Sequence, residues 1–341
     1  MDTLPELQKA LGRVVFLQLD AEKGEGKELA KEYGIEGYPT FLLANAKGET
    51  VERWWGYGEA AEFIATLDSG VKDPTTIDQK RARYESNPNM NDAAKLATFY
   101  ETKEDFHSSV EWYQRAQTLR GSSDKDFRYE IFQNTTWGVY QDDFKTVDAK
   151  NAADAALAFE GRSVEDVANV AGMMTSLGRK KDDATIMVPY LELAMRETEG
   201  AEDESIQKKR TRLQVDHALF VEHDEAKAVA YKKATYDDGW MEDADSLNGF
   251  AWWCFENNVN LEEADTLARK GVELADNGKS KAMILDTVAE ICNARGSCKD
   301  AVYFIELAIQ EDPDSEYYPK QLERFRKLLA EQSGETGESG E

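Results

Sequence analysis

Residues 34–43 read Gly-Ile-Glu-Gly-Tyr-Pro-Thr-Phe-Leu-Leu, and this stretch decides how the first part of the chain folds. Residues 28–33 before it predict a short helix, and Gly34 suits the left-handed position at which a helix ends. Pro39 and Thr40 then lead into the apolar run Thr40–Ala44, which predicts a strand. The stretch therefore predicts a helix and a strand joined by a short proline-containing loop.

The residues on either side extend this pattern. Upstream, residues 4–11 predict a helix, and the apolar run at residues 14–19 predicts a buried strand. Downstream, residues 45–48 are typical of a hairpin turn, residues 49–55 predict the return strand and residues 59–67 a closing helix. The first part of the chain is therefore of the α+β class.

The order strand, helix, proline-led strand, strand, helix over residues 14–67 resembles the second half of a thioredoxin domain. The resemblance implies a cis peptide bond between Tyr38 and Pro39, which needs tertiary support. It also implies that the backbone at Tyr38, Pro39 and Thr40 holds an extended peptide. These three residues are the predicted peptide-binding site.

The first half of a thioredoxin domain, with its Cys-x-x-Cys dithiol and central strand, has no counterpart in this sequence. Met1-Asp2 resembles the pair that follows the second active-site cysteine, so we expect a longer natural product with the dithiol upstream. If the chain begins at Met1, the strand at 14–19 must pair with Thr40–Ala44 or leave backbone groups open. We then expect the first seventy residues to be the less stable part.

Composition and charge limit the classes of partner. The formal net charge is −26 and the sequence pI about 4.6, which argues against nucleic acid and anionic membrane surfaces. No run is long and apolar enough for membrane insertion, and residues 1–11 do not resemble a signal peptide. We expect a cytoplasmic location if Met1 is the true start, whereas a longer N-terminus would allow a periplasmic or secreted one.

From about residue 76 the sequence shows helical periodicity, and three segments resemble tetratricopeptide (TPR) repeats. In all three, a small residue of the second helix stands nine positions after the bulky end of the first helix and is followed by steps of four and three. The matching positions are Leu96, Ala97, Tyr100, Ser109, Tyr113 and Ala116; Ala251, Trp252, Phe255, Ala264, Ala268 and Gly271; and Leu285, Val288, Ala289, Cys292, Ala301, Ile305, Ala308 and Pro313.

Weaker matches at residues 124–159, 163–198 and 204–233 bring the predicted total to about six helix pairs, arranged as an all-α TPR-like solenoid. A linker is expected near residues 70–76 and a capping helix at residues 317–329. The predicted domains are thus residues 1–70, thioredoxin-like; residues 71–331, TPR-like; and an acidic tail at 332–341. The tail has no apolar residue and is expected to be disordered.

No residue pattern predicts catalysis, a cofactor or a metal site. Cys254, Cys292 and Cys298 fall at or beside repeat packing positions, where free cysteine behaves as a small apolar residue. Trp253 differs from its neighbour Trp252, which the repeat assigns to the core. One step round the helix, Trp253 can either pack against the preceding repeat or line a partner-binding groove, and we predict it as a groove residue.

The whole resembles bacterial chaperedoxins, which join a thioredoxin domain to TPR repeats and hold client proteins. The resemblance implies a chaperone-like adaptor with protein or peptide partners and a redox-inactive thioredoxin remnant. An alternative is a fragment of a thiol–disulfide oxidoreductase whose dithiol lies upstream of Met1. A second alternative is a pure TPR scaffold.

Overall fold

The computed structural model describes residues 4–334 and divides the chain into two compact units, residues 1–177 and 178–341. Met1-Asp2 and the predicted tail from residue 335 onward lie outside the described residues. Each unit is described by itself below.

The first unit begins with a small α+β part. Its elements are α1 (Pro5–Leu11), α2 (Gly24–Glu32), β1 (Thr40–Ala44), β2 (Thr50–Trp55) and α3 (Ala60–Lys72). The predicted hairpin and helices are confirmed, although α2 begins earlier and α3 ends later than expected. Gly34 has φ +57°, the left-handed conformation expected after α2.

A small apolar cluster holds this part together. Strands β1 and β2 pair antiparallel, with Phe41 opposite Trp54. Both rings pack against Phe63 of α3, at centroid distances of 4.9 and 5.5 Å. Leu7 of α1 and Leu67 of α3 are buried in the same cluster. One face of the hairpin is thus covered by α1 and α3.

The strand predicted at residues 14–19 is wrong. These residues belong to no strand, and among residues 4–334 the sheet contains β1 and β2 alone. An apolar run forms a strand only when a neighbouring strand satisfies its backbone groups. Here β2 occupies one edge of β1, and the apolar run does not pair with the other.

The linker predicted at residues 70–76 is shorter than expected, because α3 continues to Lys72. Gly70 lies inside the helix at its closest approach to the hairpin. A Cβ at Gly70 would stand 2.6 Å from both Glu52 Cγ and Leu43 Cδ2. The absent side chain lets α3 lie directly on the sheet.

Residues 77–332 are helical, and six pairs follow one another along this part of the chain. A first helix α4 (Ile77–Ser86) precedes the pairs α5 (Met90–Glu101) and α6 (Phe106–Leu119), α7 (Arg128–Tyr140) and α8 (Thr146–Leu157), α9 (Val164–Lys181) and α10 (Val188–Glu197), α11 (Glu204–His217) and α12 (Glu225–Lys233), α13 (Ala244–Asn257) and α14 (Leu261–Leu274), and α15 (Lys279–Ala294) and α16 (Cys298–Glu311). The capping helix is confirmed as α17 (Tyr317–Gln332).

The small residues predicted as repeat positions are packing positions in the structure. In the first unit Leu96, Ala97 and Ser109 are fully buried between α5 and α6. In the second unit the small residues of α14 and α16 are buried in one cluster that extends from α11 to α17. The helical region is therefore TPR-like, with neighbouring helices covering each other's apolar faces.

The turn inside each pair has a common design. One residue adopts a positive φ, and the N–H of the next residue donates a hydrogen bond to a carbonyl oxygen near the end of the first helix. This is the left-handed helix end that glycine most often forms. The left-handed residues are Glu104, Asp142, Asp182, His223, Asn258 and Gly296. In the α11–α12 pair a π-helical turn at Ala218–Glu222 lengthens the first helix before the stop.

Buried polar contacts join the hairpin to α4 and α5 within the first unit. The Arg53 guanidinium of β2 donates to the carbonyl oxygens of Tyr33, Gly34 and Thr102 at 2.6, 2.7 and 2.6 Å. The Lys80 ammonium of α4 donates to the carbonyl oxygen of Val51 at 3.1 Å. Since Arg53 and Lys80 are almost fully buried, these contacts fix the hairpin against the first helices.

Candidate functional site

The loop before β1 has the geometry that the sequence implies. The peptide bond between Tyr38 and Pro39 is cis, and the Thr40 hydroxyl donates to the carbonyl oxygen of Gly37 at 2.6 Å. The Tyr38 side chain is 61% exposed. The loop therefore presents Tyr38 to solvent at the point where β1 begins.

Strand β1 has one paired and one unpaired edge. The carbonyl oxygen of Pro39 accepts from Gly56 N at 3.0 Å, so the paired edge carries the odd-numbered residues at this end of β1. Backbone groups alternate between edges along an antiparallel strand. Thr40 and Leu42 therefore direct their N–H and C=O groups to the other edge, where no strand of residues 4–334 lies. An unpaired edge of this kind is a template for another strand.

Residues 15–19 add exposed apolar surface to the same part of the unit. Val15 is 89% and Leu17 72% exposed, and Phe16 and Leu19 are also exposed. Val14, at the start of this run, packs on the apolar cluster that contains Phe41 of β1. Contiguous exposed apolar residues commonly mark an interaction site. We call residues 15–19 the apolar segment.

Sequence reasoning assigned the apolar segment to the core and so missed it as a site. The available signal was the missing central strand, which would otherwise lie between this run and Thr40–Ala44. The structure places the predicted site residues Tyr38, Pro39 and Thr40 together at the start of β1. Their role in peptide binding stays a prediction.

The groove position predicted for Trp253 is wrong. Its side chain is only 9% exposed and packs with Phe250, at a ring-centroid distance of 6.2 Å. The Lys232 ammonium of α12 lies 5.8 Å from its ring centroid. Trp252, which the repeat frame assigned to the core, is only partly buried. The preceding helix pair thus covers Trp253, and we assign it a packing role.

The three cysteines are buried and unpaired with one another. Burial raises the pKa of Cys254 to about 12 and that of Cys292 to about 11. A thiol with so high a pKa is almost entirely protonated near neutral pH and is a poor nucleophile. The packing role predicted for these two residues agrees with this environment.

Within residues 4–334, no group of three or more His, Cys, Asp or Glu side chains is arranged to hold a metal ion. Over the same range, no helix combines the length and apolar character needed to cross a membrane.

Comparison with known families identifies the N-terminal part. Residues 2–70 match the family model of a thioredoxin-like domain, so this part of the chain is thioredoxin-like and is followed by the TPR-like helical region. This thioredoxin-like part contains no cysteine. Among curated proteins, no sequence matches the chain.

Several solved helical proteins have a similar arrangement. PilW, a widely conserved type IV pilus biogenesis factor, is 16% identical with a TM-score of 0.42, over 69% of this chain and 97% of its own. A TPR protein from Parabacteroides merdae is 12% identical with a TM-score of 0.44, over 78% and 98%. Yeast Tom70 is 15% identical with a TM-score of 0.41, over 96% and 63%. At these scores no conclusion about function follows.

Proposed function

We propose that this chain is a protein-interaction adaptor whose thioredoxin-like part holds an extended segment of a partner protein along the open edge of β1. The observation that carries the proposal is the unpaired edge at Thr40 and Leu42, beside the exposed Tyr38. Addition of a strand to such an edge supplies main-chain hydrogen bonds, and flanking pockets or apolar residues supply selectivity.

The apolar segment supports the same proposal. Val15 and Leu17 are largely exposed, so they can contact apolar side chains of a bound strand. Because the chain carries a net charge of −26, a bound segment with flanking basic residues is favoured over an acidic one. The preferred partner is thus an extended apolar segment with Lys or Arg at its ends.

The environment of the cysteines favours an adaptor over thiol chemistry by these residues. Cys254 and Cys292 are buried, and their raised pKa values oppose thiolate formation. We therefore propose that the thioredoxin-like part acts in this chain through binding. Reduction of insulin disulfides by this chain would contradict that proposal.

A binding experiment tests the site directly. The probe is a fluorescent, capped peptide of alternating Val and Thr between two Lys residues, measured by anisotropy. We expect the double substitution Val15→Asp and Leu17→Asp to weaken binding by about tenfold, because it places carboxylates against apolar side chains. Both residues are largely exposed, so the fold should be retained, as judged by circular dichroism.

The matched control is Val147→Asp, which alters an exposed valine of α8 elsewhere in the first unit. It should leave peptide affinity unchanged. A second variant, Leu42→Pro, removes a backbone donor from the open edge without removing a bond to β2, and it should weaken binding as well. Equal affinity of the wild type and both site variants would refute strand addition at β1 and leave the scaffold alternative.

A further inference from the structure

Two acidic side chains lie one helical turn apart on α15 and are buried. Asp286 is 7% exposed and Glu290 6%. Residues four apart on a helix are neighbours on the same face, so these carboxyl groups lie side by side. Buried carboxylates are normally paired with cations, and a pair of them calls for more than one positive group.

The capping helix α17 supplies only part of that compensation. Arg324 forms an ion pair with Glu290. The Tyr317 hydroxyl donates to Asp286 Oδ2 at a distance of 3.3 Å. The second oxygen, Asp286 Oδ1, is buried and has no hydrogen-bond partner. One cation and one neutral donor therefore serve two carboxyl groups.

The electrostatic state of Asp286 reflects this deficit. Burial, with a smaller contribution from the neighbouring Glu290, raises the pKa of Asp286 to about 6. The same acid pair stabilises the charged form of the cation, since the hydrogen bond to Glu290 raises the pKa of Arg324. A second positive group at this position would stabilise the ionised form of Asp286.

The cover over this acid pair is partly open. The Arg324 side chain is 42% exposed although the Glu290 side chain below it is 8% exposed. Along α17, the buried residues are Tyr318 and Phe325. Met283, one turn before Asp286 on α15, is exposed and offers a flexible apolar surface beside the acids. A partner side chain can thus approach next to Arg324.

We propose that Asp286 and Glu290 form a binding site for an arginine side chain of a partner protein, and that Arg324 occupies part of this site in the unbound chain. A partner segment with an arginine next to an apolar residue then competes with Arg324 for Glu290 and supplies the missing donors to Asp286. The apolar residue packs on Met283. Arg324 of α17 thus competes with the partner arginine, and this competition lowers the affinity of the site.

Guanidinium fits this site better than ammonium. It is planar, carries five N–H donors in a fixed arrangement and can bridge two neighbouring carboxylates. It also loses less hydration energy than ammonium on burial. The site should therefore prefer arginine to lysine.

A binding experiment uses the full chain and three capped peptides that differ at one position. That position holds arginine, lysine or citrulline, the last a neutral analogue of arginine, and a leucine follows it. Calorimetry should rank the peptides in the order arginine, lysine, citrulline. Equal affinity of the arginine and citrulline peptides would overturn the proposal.

Two variants separate this site from the general acidity of the chain. Arg324→Gln removes the competitor and should tighten binding of the arginine peptide by about tenfold. The double substitution Asp286→Asn and Glu290→Gln should abolish it. Unchanged affinity in either variant would refute the proposal, and Arg324→Lys, which keeps the charge, should lie between wild type and Arg324→Gln.

The controls are a second arginine of α17 and a distant acid pair. Arg326→Gln breaks an ion pair with Glu306, and Asp142→Asn with Asp143→Asn removes exposed acids of the first unit. Both should leave the affinity unchanged, and a loss in the second would indicate non-specific attraction and count against the site. The Val15→Asp, Leu17→Asp chain should bind the arginine peptide normally, so this test is independent of the β1 proposal.

Discussion

The thioredoxin-like part and the last helix pairs bury their side chains in different ways. In the thioredoxin-like part, a small cluster around Leu7 and Phe63 is supplemented by the buried cations Arg53 and Lys80. In the second unit, a large apolar cluster extends from α11 to α17. A small core can thus be stabilised by polar contacts to neighbouring helices, whereas stacked helices are stabilised mainly by apolar burial.

The largest expected effect tests the dependence of the thioredoxin-like part on Arg53. Arg53→Met keeps apolar bulk but leaves one buried and two partly buried carbonyl groups without their donor, so we expect a loss of about 3–5 kcal/mol in unfolding free energy. Urea unfolding of the full chain, followed by circular dichroism and tryptophan fluorescence, should report it. Arg13→Met, which breaks an exposed ion pair with Asp68, should lose at most about 1 kcal/mol. Similar losses of stability in the two arginine variants would show that the buried contacts of Arg53 are no more important than an exposed ion pair.

The next effect concerns a buried charge in the second unit. Because the pKa of Asp286 is raised to about 6, its protonated form is favoured in the folded state, and its contribution to stability is lost as pH rises from about 4 through 6. At pH 8 the free energy of unfolding of the Asp286→Asn variant should therefore exceed that of wild type by about 2 kcal/mol. The groups that face Asp286 are Glu290, Tyr317 and Arg324.

Thermal unfolding at pH 4 and pH 8 measures the effect. The advantage of Asp286→Asn should shrink towards pH 4, where the wild-type carboxyl is protonated. Glu306→Gln, at a more exposed acid of α16, is the control and should show no such trend. A constant difference between Asp286→Asn and wild type would mean that Asp286 does not titrate as described.

The smallest effect compares two helical glycines within the first unit. Gly70→Ala places a methyl group 2.6 Å from Glu52 and Leu43, so overpacking should lower stability by about 1–2 kcal/mol. Gly172→Ala meets no atom within 4 Å and should raise stability by about 0.5–1 kcal/mol through its helix propensity. Melting temperatures of the two variants should move in opposite directions, and movement in the same direction would show that α3 is not tightly packed on the hairpin.

Local signals in the sequence predicted much of the fold. Gly34, Pro39 and the turn at residues 45–48 have conformations that depend on the nearest residues, and the structure has the expected elements there. The small repeat positions were also correct, because close packing of paired helices admits few alternatives at Ala97 or Ala268.

Features that depend on distant partners were not predicted. The run at residues 14–19 has strand composition, but only the rest of the chain decides whether a neighbouring strand exists. Trp252 and Trp253 differ by one step round α13, so a small change in helix phase and the cover from α12 reverse their burial. Arg53 and Asp286 resemble any other surface charge in sequence, and their burial depends on tertiary packing.

The left-handed turns inside the helix pairs have a consequence for how the array can change in length. Because each first helix stops in nearly the same manner, from Glu104 in the first pair to Gly296 in the last, equivalent turns are natural joining points. A segment cut between two such turns carries the second helix of one pair and the first helix of the next. If such a segment were lost or duplicated, each new junction would still connect a first helix to a second helix through the same left-handed turn. The repeat region is thus built so that modules can be gained or lost without redesigning a junction.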